Sequence, residues 1–463
     1  MMRSKPQNEN SSFRDPAGFI FYRDGTVYRQ LNQIYSANYK KLISSGLYNL
    51  LVKKGLLISH RESPNNLSPD GKAFQIIKPD MIPFVSYPYE WGFLQLQQAG
   101  LTTLKIEKLA LEHDMNLKDA SAYNIQFVGK NPVFIDTLSF ETYKTGSPWV
   151  AYRQYCQHFL APLALMAYND LRLNQLARPF LDGVPLDLAC RILPVSARLN
   201  LGLSIHIYWQ AKLKADLQAK EGSKTSQIKM DKNALMRLLD NLEETTANLK
   251  PRDSSTRWEK YYTFTNYRPT SFEAKKQLVA KMIKRVAPKT VWDLGANDGE
   301  FSRLAAQAGA YTISFDFDPK AVENNFAKLS GDNTNLILPL VMDLTNPSPN
   351  LGWAGQERMS LAKRGGADLI MALALIHHLC LSNNLPLGHV AKFLAQLGKY
   401  LIIEFVPKND SQVVEMLSSR EDIFSEYTET NFLSAFGQYF KLLETKLIPG
   451  TVRKLYLFKV DHA

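Results

Sequence analysis

Between Val291 and Ser302 the chain reads VWDLGANDGEFS, an apolar run that ends in Asp-x-Gly-x-x-x-Gly and passes straight into a helical pattern. A turn this tight admits two readings. It is either a plain strand-to-helix connection or a loop whose backbone amides face a nucleotide at a helix N-terminus. The residues that follow decide between them.

Downstream, apolar runs alternate with helical patterns. TVWDL, YTISFDFD, LILPLVMDL, ADLIMALAL and KYLIIEFV read as strands, while EFSRLAAQAG (closed by Gly309), AVENNFAKL and VAKFLAQL read as helices. Unbroken apolar strands separated by amphipathic helices predict a largely parallel sheet covered on both faces, an α/β fold. In such sheets a ligand binds beyond the carboxyl ends of the strands.

Four successive strand ends carry suitable chemistry. The first supplies Asp293, Gly295 and Gly299; the second Asp316, 23 residues after Asp293, where a carboxylate can accept from ribose hydroxyls. The third ends at Asp343, placed to meet an adenine amino group, and the fourth at His377 and His378. A nicotinamide dehydrogenase needs a similar turn and carboxylate, but Gly-x-x-x-Gly lacks the full Gly-x-Gly-x-x-Gly of dinucleotide binders.

The series resembles the class I S-adenosylmethionine-dependent methyltransferases from about Trp258 to Val460. The resemblance implies a Rossmann-like domain with a mostly parallel seven-stranded sheet. Asp293 would then lie at the amino-acid end of the cofactor, Gly295 and Gly299 along its methionine portion, Asp316 on the ribose and Asp343 by the adenine. Asn297 stands where many members have a middle glycine. In WEKYYTFTNYRPT, Tyr261, Tyr262 and Tyr267 form an aromatic segment of the kind that folds over the cofactor in related enzymes, or that simply packs in a core. His377 and His378 are candidate general bases for a hydroxyl acceptor, since an imidazole titrates near working pH. Glu404, ending LIIEF, is a candidate acceptor contact; each also reads as a packed polar residue.

The rest of the chain sets limits. At 463 residues and 45% hydrophobic content, more than one core is expected. Residues 1–16 read as a flexible polar tail of a cytoplasmic protein and 17–211 as one domain. The charged, aromatic-free stretch 212–255 reads as a helical linker, and 256–463 as the methyltransferase domain. The longest apolar run, FLAPLALMAY, is too short for the roughly 20 residues of a membrane helix. The net charge of +11 is not clustered: six lysines between Lys212 and Lys232 are interspersed with Asp216, Glu221 and Asp231, so a nucleic-acid partner is not expected. Cys156, Cys190 and Cys380 are far apart in apolar contexts and read as buried thiols.

The first half carries its own pattern, LKDASAYNIQFVGKNPVFIDTLSFE, preceded by the helical LTTLKIEKLALEHDM. Helix, acidic loop with Asn, short hairpin and Asp together resemble the catalytic segment of protein-kinase-like folds, implying an α+β domain of the small-molecule phosphotransferase type. Asp119 would match the base, and Asn124 and Asp136 the magnesium ligands of a bound nucleotide. No Gly-rich phosphate loop occurs in FIFYRDGTVYRQLN, and Arg29 falls where a lysine belongs. An active kinase, a kinase-like fold that binds a ligand or presents the acceptor, and an unrelated fold therefore all stay open. The whole architecture, with YPYEWGF and PWVAYRQYCQHFLAPLALMAY ahead of the methyltransferase half, resembles a bacterial family related to nodulation protein NoeA. That likeness implies a small-molecule or saccharide acceptor; a protein or RNA acceptor, or a binding protein without activity, is the alternative.

Overall fold

A computed structural model of the chain describes residues 6–212, 229–251, 269–329, 335–418 and 421–461. The chain forms two compact units: Met1–Ser254 with Asn350–Arg358, and Ser255–Pro349 with Met359–Ala463.

The first unit opens with a five-stranded antiparallel sheet in the order β1-β2-β3-β5-β4, from β1 (Gln7–Asn8), β2 (Gly18–Arg23), β3 (Thr26–Asn32), β4 (His60–Ser63) and β5 (Ala73–Pro79). Asp24 and Gly25 close the β2–β3 hairpin with φ of 49° and 71°, as the twist of a two-residue turn demands. Helices α1 (Ser36–Ser44) and α2 (Leu47–Lys53) follow β3.

A long helix, α3 (Phe93–Glu112), buries residues on most of its circumference, which makes it the axis of the unit rather than a surface helix. It leads into β6 (Met115–Leu117), the hairpin β7 (Ile125–Val128) and β8 (Asn131–Phe134), and β9 (Phe140–Thr142), which pairs antiparallel with β6. This is the expected succession of helix, acidic loop, hairpin and Asp.

Two boundaries differ from the sequence reading. The tail begins pairing at once, Gln7 opposite Tyr22 and Asn8 opposite Phe21. Within the stretch expected as a linker, α4 (Lys232–Asn248) buries Leu235, Leu239 and Leu242, an apolar stripe at helical spacing. It packs on α3: Lys108 of α3 meets Asp240 at 2.6 Å and also Glu243, while Gln97 Nε2 donates to the carbonyls of Thr246 and Leu249 at 2.9 Å each. The segment is thus part of the first core. Asn350–Arg358 also belongs to this unit: Arg14 pairs with both oxygens of Glu357 at 2.9 and 2.6 Å, and the Arg358 guanidinium lies 4.0 Å from the Tyr123 ring centre.

The second unit is a seven-stranded sheet in the order β12-β11-β10-β13-β14-β16-β15. Its strands are β10 (Thr290–Leu294), β11 (Tyr311–Asp316), β12 (Ile337–Val341), β13 (Ala367–Ala372), β14 (Gly398–Phe405), β15 (Phe440–Leu447) and β16 (Lys454–Val460). β10 to β14 run parallel; β16 inserts antiparallel between β14 and β15. Helices α5 (Pro269–Val286), α6 (Glu300–Gln307), α7 (Pro319–Lys328) and α8 (Leu387–Leu397) precede or connect the parallel strands. Because the order reverses at β10, right-handed crossovers on either side of it place helices on opposite faces and open a crevice at its carboxyl end. Val279, Met282 and Ile283 of α5 pack on Val291, Leu369 and Ile402 to form the core on one face. Among the described residues, no helix is long and apolar enough to cross a membrane.

Candidate cofactor site and a second polar cluster

At the end of β10 the chain turns through three left-handed residues: Gly295 at φ 76°, Asn297 at φ 50° and Gly299 at φ 84°. Asparagine tolerates this region better than most residues, so the absent middle glycine costs the turn little. The turn is pinned to the neighbouring strand, Gly295 and Ala296 both donating their N–H to the Phe315 carbonyl at 2.9 Å.

One residue further, the Asn297 N–H donates to Asp316 Oδ2 at 2.8 Å, and the Asp318 N–H donates to Oδ1 at 2.9 Å. Two backbone amides thus fix a carboxylate that is only 7% exposed. Burial pushes Asp316 up to about 6, against the two amides, which favour the charged form.

Asp293, 2% exposed, accepts from Ser302 Oγ at 2.6 Å, and Ser302 in turn accepts from Ser314 Oγ at 2.7 Å. Burial pushes it up to about 7. Asp343 is exposed and holds its own turn, accepting from the Thr345 N–H at 2.8 Å and Oγ at 2.7 Å.

These groups border one cavity of about 310 Å³ beyond the strand ends, at the lower end of the range for small-molecule pockets, about 300–1,000 Å³. Asp293, Gly295, Asn297, Asp316, Asp343 and His378 all line it. The structure therefore brings together six of the residues singled out from sequence.

The others lie elsewhere. Gly299 is outside the lining; a Cβ there would come 2.3 Å from Asn325 Oδ1, so this glycine serves close packing at the start of α6. His377 is 2% exposed, behind the wall, with its ring centre 4.2 Å from that of His378 and no hydrogen-bond partner for Nδ1. Burial, reinforced by His378, Arg453 and Lys275, holds it well below the usual imidazole value, which keeps it neutral.

Glu404 is fully buried and does not reach the cavity. Lys275 Nζ sits 2.6 Å from Oε2 and Arg453 Nη1 3.4 Å from Oε1, while Arg453 also clasps Asp410 at 2.7 and 2.9 Å. Tyr261, Tyr262 and Tyr267 lie outside the described residues.

Sequence reading missed Lys275 and Phe272, which line the cavity from α5. A signal existed: Ser271, Lys275, Val279, Met282 and Ile283 form the buried stripe of that helix, and a lysine in an apolar stripe is out of place.

In the first unit, Asp119, Asn124 and Asp136 also converge. Asp119 Oδ1 accepts from the Ser121 N–H at 2.9 Å and Gln154 Nε2 at 2.8 Å, and its carboxylate hydrogen-bonds Asn124. Burial, and secondarily the Asp136 charge, raise the Asp119 pKa. Asn124 Nδ2 donates to Ser139 Oγ at 3.2 Å, and that hydroxyl donates to Asp136 Oδ2.

The Asp136 carboxylate is engaged by protein donors. Asp136 Oδ1 is held at 2.5 Å by Arg29 Nη2 and at 3.2 Å by the Leu138 N–H, and Oδ2 is occupied by Ser139. Asn124 and Asp136, expected as magnesium ligands, are thus joined through Ser139, and the cation beside Asp136 is the Arg29 guanidinium. Among the described residues, no group of three His, Cys, Asp or Glu side chains is arranged to hold a metal.

The strand order, the left-handed turn after β10 and the pinned carboxylate after β11 define the second unit as a doubly wound nucleoside-cofactor fold of the class I methyltransferase type. The chain as a whole belongs to the family of nodulation protein NoeA: the protein of that name from Rhizobium meliloti (strain 1021) is 34% identical over 469 residues, 98% of this chain and 96% of the relative. No protein-family model matches it.

Among solved structures, magnesium protoporphyrin IX methyltransferase (ChlM) from Synechocystis PCC 6803 with bound SAM is similar at 19% identity and a TM-score of 0.31, over 44% of this chain and 90% of that one. N-methyltransferase NodS from Bradyrhizobium japonicum WM9 gives 12% and 0.32 over 43% and 100%. The bifunctional kinase-methyltransferase WbdD gives 19% and 0.29 over 42% of this chain and 40% of that one.

Proposed function

We propose that the second unit binds S-adenosylmethionine and transfers its methyl group to a small-molecule or saccharide acceptor. The observation that carries this reading is Asp316, a buried carboxylate pinned by two backbone N–H groups on the wall of a cavity at the switch point of the sheet. A vicinal diol meets such a carboxylate with two hydroxyl donors, and the immobilised acceptor costs no reorganisation on binding.

In this reading Asp293 takes the cofactor's ammonium end and Asp343 its adenine edge. Gly295 and Asn297 leave the loop backbone open to the ligand. Bound there, S-adenosylmethionine supplies a methyl group already activated by the sulfonium. The chain then has to align the acceptor and, for a hydroxyl, accept its proton. His378, on the cavity wall, is the group assigned to that proton, with neutral His377 packed against it. Glu404 acts on the site only through Lys275.

Calorimetric titration with S-adenosylmethionine and S-adenosylhomocysteine tests the cofactor, and mass spectrometry of co-purified small molecules tests the acceptor. A chain that binds neither compound while folded overturns the reading. The relative's name ties it to nodulation, which accords with a saccharide or small-molecule acceptor; methylation of a protein or RNA in a substrate screen would redirect that part.

For the first unit we propose a kinase-like fold that binds a phosphorylated ligand. What favours it is the convergence of Asp119, Asn124 and Asp136 in the order helix, loop, hairpin and Asp. Phosphoryl transfer is not part of the proposal, since the β2–β3 turn has only Asp24 and Gly25 in place of a phosphate-covering loop.

A further inference from the structure

In the first unit, Arg29 projects from β3 onto Asp136, just before β9. Both side chains are largely buried, at 14% and 13% exposure, so the pair is screened less than a surface ion pair. The guanidinium also keeps a buried Nε–H with no hydrogen-bond partner, so its donor capacity is not exhausted by Asp136. Asp136 is in turn linked through the Ser139 hydroxyl to Asn124, which hydrogen-bonds the Asp119 carboxylate, whose Oδ1 accepts from Ser121 and Gln154.

A fold that neutralises phosphate with magnesium leaves carboxylate oxygens open for the ion. Here Asp136 Oδ1 carries two protein donors and Oδ2 one, and the only charge that balances Asp136 within hydrogen-bond distance among the described residues is Arg29. A divalent ion would have to displace the guanidinium and leave it buried against like charge. A guanidinium, by contrast, presents a planar fork matched to both carboxylate and phosphate, and it cannot lose its charge.

We propose that Arg29 is the resident cation of this site, so that the first unit takes a phosphate ester directly on the guanidinium, without a divalent metal. The proposal rests on the kinase-like ligand-binding reading above. Arg29 turns part of its fork from Asp136 to the phosphate, and Asp136 keeps it aimed.

The test is thermal melting of the full chain with ATP, once in excess EDTA and once in excess magnesium, for the native chain and Arg29→Gln. The expected result is a rise of about 5 °C at saturating ATP in EDTA, not increased by magnesium and absent in Arg29→Gln. A rise only with magnesium overturns the proposal and leaves the kinase-like reading intact. No rise in either condition overturns both. A rise in EDTA that survives in Arg29→Gln assigns the nucleotide to another site and overturns the proposal.

Manganese titration followed by electron paramagnetic resonance gives a readout independent of nucleotide. An Asp136-dependent bound ion is expected in Arg29→Ala and not in the native chain. The same ion bound by the native chain, or its absence from a folded Arg29→Ala, contradicts the assignment.

Discussion

Lys275 and Glu404 form an ion pair of 2.6 Å inside the second unit, their side chains 4% and 0% exposed. The lysine comes from α5 and the glutamate from β14, so the pair ties the helix ahead of the cofactor turn to a central strand. Removing one partner leaves the other charged and buried. Glu404→Ala is expected to destabilise the unit by about 3–5 kcal/mol, read from the urea midpoint. The double change Lys275→Met with Glu404→Leu should recover most of that loss; if it is no more stable than Glu404→Ala, the pair is not what the site depends on.

Asp316 offers the most direct test of the cofactor assignment. Asp316→Ala should weaken S-adenosylmethionine by about 1.5–3 kcal/mol, the worth of hydrogen bonds to a charged group. The carboxylate accepts both hydroxyls only when ionised, and burial pushes it up to about 6. Affinity should therefore fall as pH drops through 6, and titrations at pH 5 and 8 check it. Equal affinity at both, with Asp316→Ala unaffected, would remove the ribose assignment.

Glu107 predicts a pH dependence of stability in the first unit. It is fully buried in α3; Oε2 accepts from the Leu117 N–H at 2.7 Å and Oε1 has no partner. Burial pushes it up to about 8, above the ~4.3 of an exposed glutamate. Between those values the folded state holds a proton that the unfolded chain has released, so the stability this group contributes is lost as pH rises through that window. Glu107→Gln should match the native chain near pH 4 and be more stable at pH 8 to 9. Parallel melting curves across that range would contradict it.

The two turn glycines should fail differently. Gly299→Ala forces a Cβ to within 2.3 Å of Asn325 in a left-handed backbone, so it should lose about 1–3 kcal/mol of stability while the folded fraction still binds cofactor. Gly295 borders the cavity and is also left-handed, with Leu375 3.3 Å from an added Cβ, so Gly295→Val should lose stability as well and, unlike Gly299→Ala, abolish binding in the fraction that remains folded. Denaturation curves paired with calorimetry separate the two outcomes.

The second unit was legible because its information is local. Strand-to-helix alternation, a turn of small residues and carboxylates at strand ends are all written in consecutive residues, and β10 to β14 occur where the apolar runs stand. The cluster of Asp119, Asn124 and Asp136 was legible for the same reason. What the sequence could not determine is which polar groups face a cavity and which face each other. Glu404 and Asp316 both end parallel strands, yet one is locked by Lys275 and Arg453 and the other by two backbone amides on an open wall. Arg29 and Asp136 are separated by more than a hundred positions, so only the packing of β3 against the segment after β8 turned an expected metal ligand into half of an ion pair. The charged stretch before the second unit became core because α3 supplied a surface for Leu235, Leu239 and Leu242. Local pattern fixes the elements, whereas the pairing of buried charges is decided by long-range packing, which a one-dimensional pattern does not carry.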